Sequence, residues 1–168
     1  MNKQVWIEKA LGLGIQEFEI YQSTTVEKEM TWFQGQMDPL VSSKVTGTSI
    51  RGIVDGKMAN MALEEINDDQ CEIILKSLIE QAHIISNEET DSLRKPEPIE
   101  YAKKDVTWNM ASTEYVKDIL QSLEAKILAY DPRVIQVGYL GYSQGSGSRS
   151  IVNSLGMDVQ DADEMQYI

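Results

Sequence analysis

The sequence predicts an α+β fold, in which an antiparallel sheet of four to five strands packs on two long helices and extra C-terminal β-hairpins follow. Towards both ends of the chain, apolar and polar residues alternate with the period of two that is typical of strands. Between them, apolar residues recur at helical spacing over about 67–86 and 112–130. The 168 residues are enough for one domain with a hydrophobic core, or for two small ones.

The first third of the chain predicts a meander of short strands. Residues 3–11 are predicted to form a short opening helix, which ends at a pair of glycines. Strands are predicted over 17–23 and 26–34, where the alternation is regular. The next segment, 37–44, contains Pro39 and is predicted to be an edge strand or irregular.

Residues 46–65 predict a β-hairpin whose two-residue type I′ turn is Asp55-Gly56. This turn pairs Gly52 with Ala59 and Arg51 with Asn60. Gly52 lies on the apolar face, where the missing side chain would let a helix cross closely. Arg51 lies on the opposite face. We expect it either to form a salt bridge with an acid on a neighbouring strand, such as Glu27 or Glu29, or to contact another domain or subunit.

The helix predicted over 67–86 begins at a capping box formed by Asn67 and Gln70. A polar connector, 87–111, follows it, and its prolines exclude regular structure from its middle. A structureless loop of this length is uncommon inside a domain. Part of the connector is therefore expected to cross the surface, anchored by Trp108 or Tyr101.

The C-terminal part is predicted to return to strands. Strands are expected over 133–144 and 149–154, separated by a turn at the Gly-Ser-Gly-Ser sequence, and a further strand follows the turn at Leu155-Gly156. The chain ends within that strand. We expect the chain to be the N-terminal piece of a longer protein; a disordered acidic tail is the alternative.

Composition excludes several functional classes. The chain has 27 acidic and 15 basic residues, a net charge of −12, which opposes direct contact with nucleic acid or an anionic membrane. No signal peptide is evident, and no stretch approaches the roughly 20 apolar residues of a membrane helix. The single cysteine excludes an internal disulfide. A cytoplasmic protein is expected.

Residue chemistry alone indicates no catalytic, metal or cofactor site. His83, the sole histidine, lies in a predicted helix and is expected at its surface, and Cys71 lies on the apolar stripe of the same helix. Acidic pairs at 64–65 and 68–69 are interpreted as a strand end and a helix first turn rather than a cation site. The glycine-rich stretch 141–147 lacks the lysine of a phosphate-binding loop and is interpreted as a hairpin loop.

The order of three motifs resembles a known family. A strand ending near Gly35 precedes a Gly-x-x-x-Arg strand, formed by Gly47 and Arg51, and then an Asp-Gly-Lys turn. An Asn-Ser-x-Gly hairpin begins at Asn153. This pattern resembles the N-terminal domain of the TldD/PmbA metallopeptidases, which have historically been called modulators of DNA gyrase.

The resemblance implies that residues 1–168 are the N-terminal α/β domain of a longer intracellular protein, without its β-rich C-terminal domain. It implies a homodimer or heterodimer that cleaves unfolded or leader peptides. It also places the zinc site of the metal-bearing members in that C-terminal domain, so no catalytic residue is carried over to this chain. The possible interface or structural residues are therefore Arg51, Gly52, Asp55 and Gly56.

Two other functions stay open. A stand-alone binding module could take up a peptide at an exposed sheet edge, without enzymatic activity. A small-molecule enzyme that uses surface carboxylates would require acids converging in a pocket. The old family name suggests DNA, but the charge of the chain argues against that reading.

Overall fold

The computed structural model describes residues 1–38, 41–64, 66–86, 90–98 and 111–168, with only the backbone of Tyr167. In these ranges, helices and strands form an α+β fold with one antiparallel sheet of strand order β4-β3-β1-β5-β6, in which β2 pairs with β1. The helices are α1 (Lys3–Gly12), α2 (Cys71–Ile84) and α3 (Thr113–Tyr130). The strands are β1 (Glu17–Phe33), β2 (Gln36–Met37), β3 (Val41–Val54), β4 (Lys57–Leu63), β5 (Leu140–Asn153) and β6 (Asp158–Tyr167). The predicted fold class is confirmed, and the C-terminal strands extend the same sheet.

The chain divides into two compact units. The first unit contains residues 1–24, the described part of 46–103, and 148–161. The second unit contains residues 25–45, the described part of 104–147, and 162–168. Strands β1, β3, β5 and β6 each contribute residues to both units.

In the first unit, α1 and α2 pack on one face of the sheet. The apolar stripe of α2 is buried there, as predicted, because its residues follow helical spacing. The buried core consists of Trp6, Ile7, Ala10, Ile15, Phe18, Ile20, Ile50, Val54, Ala59, Cys71, Leu75, Leu78 and Ala82. This packing leaves the opposite face of the sheet for polar side chains.

The β3–β4 hairpin has the predicted register. Gly52 pairs with Ala59 and Arg51 with Asn60. Asp55 and Gly56 both have positive φ, 49° and 75°, as a type I′ turn requires. The turn residues therefore set which side chains of β3 face the helices.

Gly52 provides space for α2, as predicted. A Cβ atom built at Gly52 would lie 3.0 Å from Leu78 Cδ2 and 2.9 Å from Ile15 Cγ2. Both methyl groups belong to fully buried side chains. A glycine is needed here because a larger residue would push α2 away from the sheet.

We predict that Gly52→Val lowers the free energy of unfolding by about 2 kcal/mol, because it overpacks the core. Urea unfolding would measure this loss. Gly47→Val is the matched control in the same strand, since its Cβ would meet only Ser23 Oγ, at 3.7 Å. Equal effects of the two substitutions would contradict close packing at Gly52.

The start of α1 is tied to the turn before α2 by Asp68. The Asp68 carboxylate accepts hydrogen bonds from Trp6 Nε1 at 2.8 Å and from the Asn2 backbone N–H at 3.1 Å. These two hydrogen bonds lower the pKa of Asp68 below its ordinary value of 3.8, and the bond from Trp6 has the larger effect. Asn67 caps the same turn by accepting from the Asp69 backbone N–H.

Because the folded pKa of Asp68 is lowered, its stabilising effect is full above the unfolded pKa and is lost as pH falls through the folded one. We therefore predict that Asp68→Asn destabilises the protein at about pH 6 and that this difference shrinks at about pH 3. Chemical unfolding at the two pH values would measure both differences. Asp69→Asn makes the same charge change at the neighbouring position and is the control variant. A pH-independent effect of Asp68→Asn would contradict this role of its charge.

In the second unit, α3 packs on the sheet through Val116 and Leu120. Their partners include Met30, Trp32 and Tyr142, which are buried. The Trp32 indole donates a hydrogen bond to Glu124 Oε2 at 2.7 Å, so its polar atom is satisfied. This helix matches the prediction over 112–130 closely.

Two predicted strand breaks are wrong. The strands predicted over 17–23 and 26–34 form one continuous strand, β1, because the Thr residues between them are good strand formers. The Gly-Ser-Gly-Ser turn is part of β5, since Gly145 and Gly147 lack the positive φ of a hairpin turn. The turn predicted at Leu155-Gly156 is present between β5 and β6, and the φ of Gly156 is 92°. The segment predicted as an edge strand or irregular, 37–44, contains the end of β2 and the start of β3, and its Pro39 lies outside the described residues.

The strand predicted over 133–144 begins only at Leu140. The Asp131 side chain accepts from the backbone N–H and the guanidinium of Arg133, which stabilises a turn before it. Ile135 and Tyr139 are exposed, so no packing favours a strand in this segment. The proposed anchors of the connector, Tyr101 and Trp108, lie outside the described residues.

Candidate functional site

The polar face of the first unit contains a buried carboxylate, Glu19 in β1. Glu19 is only 2% exposed. Its Oε1 accepts from Arg51 Nε at 2.7 Å and Arg51 Nη2 at 2.6 Å. The two charges compensate each other, which a buried carboxylate requires.

Asn153, at the end of β5, completes this cluster and is only 4% exposed. Its Nδ2 donates to Glu19 Oε2 at 3.1 Å and to the Arg94 carbonyl oxygen at 2.9 Å. Its Oδ1 accepts from the backbone N–H groups of Leu155 and Met157, both at 3.0 Å. One side chain therefore holds the β5–β6 turn, the carboxylate of β1 and the segment at Arg94 together.

The prediction of a salt bridge between Arg51 and a neighbouring strand is right, but the predicted partners, Glu27 and Glu29, are wrong. On β1 and β3, Gln22 contacts Thr48 and Thr24 contacts Thr46. The same antiparallel register places Glu19 beside Arg51, and the other two acids lie farther along β1. Glu19 is buried, although it alternates with the apolar Phe18 and Ile20 along β1.

Sequence reasoning missed Glu19 and its hydrogen bond with Asn153. A usable signal existed, because Arg51 and Asn153 both need an acceptor and Glu19 alternates with buried Phe18 and Ile20. Ser154 supports the same junction. Its Oγ accepts from the Phe18 backbone N–H at 2.9 Å, and its own N–H donates to the Phe18 carbonyl at 2.8 Å.

Residues 90–98 lie across this polar face, so part of the connector does cross the surface as predicted. The Leu93 backbone N–H donates to Glu17 Oε2 at 2.6 Å, and the Leu93 side chain is buried. Asp91 Oδ2 accepts from the Met58 backbone N–H at 3.0 Å. These contacts fix the segment that presents the Arg94 carbonyl oxygen to Asn153.

An open cavity of about 420 Å³ lies beside the Arg51–Glu19 pair. Its volume is within the range of about 300–1,000 Å³ that is common for small-ligand sites. The Arg51 side chain is 44% exposed, so its guanidinium is accessible although Glu19 is not. The cavity is lined by Glu19, Tyr21, Ser49, Arg51, Asn60 and Ile151.

The remaining residues singled out from the sequence have structural positions. Asp55 and Gly56 form the hairpin turn, and the Gly56 backbone N–H donates to Gln16 Oε1 at 3.1 Å. His83 is exposed, with its Nε2 3.7 Å from Asp55 Oδ2. Cys71 is fully buried, and burial raises the pKa of its thiol, which disfavours the reactive thiolate.

Within the described ranges, no three side chains of His, Cys, Asp or Glu gather closely enough to hold a metal ion. The acids at Glu64, Asp68 and Asp69 do not converge, and Glu65 lies outside the described residues. The described part of this chain therefore does not fit a zinc site. None of its helices is long and apolar enough to span a bilayer.

Two sequence profiles of one family match the chain. The PmbA/TldA metallopeptidase domain 1 matches residues 18–86, and the PmbA/TldA metallopeptidase central domain matches residues 107–168. The chain belongs to the TldD/PmbA metallopeptidase family. Residues 87–98 lie between the two matches. They include Arg94, whose carbonyl oxygen accepts from Asn153.

Solved structures share the fold. TldE from Thermococcus kodakarensis is 18% identical, with a TM-score of 0.79 over 96% of this chain and 37% of that protein. A Thermotoga maritima protein described as a candidate modulator of a DNA gyrase is 19% identical, with a TM-score of 0.77 over 98% of this chain and 37% of that protein. A Bacteroides thetaiotaomicron protein, also described as a candidate modulator of DNA gyrase, is 17% identical. Its TM-score is 0.72 over 97% of this chain and 38% of that protein.

At these identities the likeness shows the fold alone. The chain spans 37–38% of the length of these solved structures. No curated protein matches the chain.

Proposed function

We propose that this chain is the non-catalytic N-terminal portion of a TldD/PmbA-type peptidase subunit, where it shapes substrate access and takes part in dimer assembly. The observation that carries this proposal is the pair of matched domains, domain 1 and the central domain. Among the described residues, the most buried acid is Glu19, and its side chain is held by protein contacts. Both Glu19 oxygens accept hydrogen bonds from the protein, so this acid serves the fold rather than chemistry.

The zinc and the general base of such a peptidase are proposed for the C-terminal domain of the longer subunit. The described residues of this chain provide no metal ligand set. Their contribution is an antiparallel sheet with an accessible arginine beside a cavity. Unfolded or leader peptides are the proposed substrates, and the cytoplasm is the proposed location.

The test is to purify the protein expressed from its complete reading frame, alone and with the family member encoded in the same genome. Cleavage of an unfolded polypeptide, metal content and molar mass in solution are then measured. We expect a dimer, cleavage that a chelator abolishes, and recovery with zinc. Absence of cleavage in both preparations would contradict the proposal.

A stand-alone peptide-binding module is the second candidate, because β4 and β6 are the outer strands of the sheet. Outer strands can accept an added peptide strand. This alternative predicts metal-independent peptide binding by a chain of 168 residues and no cleavage with any partner.

A further inference from the structure

We propose that the cavity beside Arg51 binds the carboxylate at the C-terminal end of a peptide; the choice of a peptide rests on the proposed function. The cavity belongs to the first unit and lies on the sheet face opposite α1 and α2. Neither the fold likeness nor the matched domains assign a ligand to it. The inference follows from its hydrogen-bonding groups.

The Arg51 guanidinium has N–H donors that the described part of the protein does not use. A guanidinium carries five N–H donors, and the protein uses Nε and Nη2, both toward the single oxygen Glu19 Oε1. In the described part of the chain, Nη1 donates to no residue. Because the buried Glu19 holds the guanidinium in place, these unused donors are preorganised at the cavity.

The surrounding groups add further donors. The hydroxyls of Tyr21 and Ser49 and the amide of Asn60 line the same cavity, and none of them bonds to another described side chain or backbone group. Asn60 is exposed and is the register partner of Arg51. This excess of donors fits a ligand rich in acceptors, and arginine pairs especially well with carboxylates.

Charge limits the ligand to a small anion. Glu19 already neutralises Arg51, and the whole chain carries −12. A phosphate dianion or a polyanion would therefore be repelled more strongly than a monoanionic carboxylate, which can use the unused N–H groups. Ile151 and the ring of Tyr21 provide apolar surface for the adjoining residue of a peptide.

The test uses the whole chain, labelled with ¹⁵N, and two acetylated tri-alanine peptides, one with a free C-terminal carboxylate and one amidated. We expect the acid peptide to shift the Arg51 Nε–H resonance saturably and to bind at least about tenfold more tightly than the amide. Equal affinity of the two peptides, or no shift with the acid, would overturn the proposal.

Three variants test whether this cavity is responsible for binding the acid peptide. Glu19→Gln combined with Arg51→Gln removes the pair without leaving a lone buried charge and should abolish the preference for the acid. Asn60→Asp changes an exposed side chain only and should weaken acid binding about tenfold by repulsion. Lys76→Gln, the same loss of a cation on the surface of α2, should leave binding unchanged. Acid binding retained in Asn60→Asp would overturn the proposal.

This titration measures binding without cleavage. Failure to bind would overturn the carboxylate site and leave the peptidase assay unaffected. Failure of the peptidase assay would contradict the proposed function even where the acid peptide binds.

Discussion

Replacing Asn153 with Ala is expected to lower the free energy of unfolding by about 3–4 kcal/mol, which makes it the most damaging single change among the polar residues considered. The substitution removes two donated and two accepted hydrogen bonds. It leaves the Glu19 carboxylate and the Arg94 carbonyl without this donor, and buried groups without partners are costly. Urea unfolding followed by circular dichroism would measure the loss.

Asn60→Ala is the matched control for this experiment. Asn60 is also a strand asparagine of the first unit, but it is exposed and its side chain makes no hydrogen bond with the described residues. Its replacement should change stability by less than about 0.5 kcal/mol. Similar effects at the two positions would show that the Asn153 cluster does not stabilise the fold.

Arg51→Ala is expected to cost about 3 kcal/mol, because it leaves the buried Glu19 without its cation. This expected loss of stability lies at the lower end of the range for buried ion pairs, since Arg51 itself is partly exposed and water can reach the vacated space. Replacing both residues, as Glu19→Gln with Arg51→Gln, should cost less than Arg51→Ala. A double-mutant cycle in the same unfolding assay would measure the coupling.

The exposed pair of Lys76 and Glu72 on α2 provides the control, with an Nζ–Oε1 distance of 2.7 Å. Lys76→Ala should change stability by less than about 0.5 kcal/mol, because an exposed pair contributes little.

Dimer formation by the Arg51→Ala protein separates the two hypotheses for Arg51. Lost stability with normal assembly supports a structural role, whereas lost assembly in a stable protein supports an interface.

Local sequence predicted the hairpin in detail. Asp55-Gly56 allows the positive φ values of its turn, and the turn then determines every pair of β3 with β4. The helical spacing from Cys71 to Ala82 likewise predicted the buried stripe of α2, and Gly52 predicted where that helix crosses. These features depend on neighbours in the sequence, so their signals are local.

The sequence predicted the ends of the strands less well than it predicted the hairpin and the buried stripe of α2. Gly145 and Gly147 are compatible with a turn or with an extended strand, and pairing within the sheet selects the strand. Segment 133–139 alternates like a strand, but its Ile135 and Tyr139 are exposed.

By itself, the sequence determined the fold class, the family and the arginine that needs an acidic partner. Only the tertiary structure decided that this partner is Glu19 and that Asn153 joins them. The physical reason is that Glu19, Arg51 and Asn153 are far apart along the chain, and only the pairing of β1, β3 and β5 in one sheet brings them together. A carboxylate that alternation alone assigns to the surface thus becomes the buried centre of the polar face.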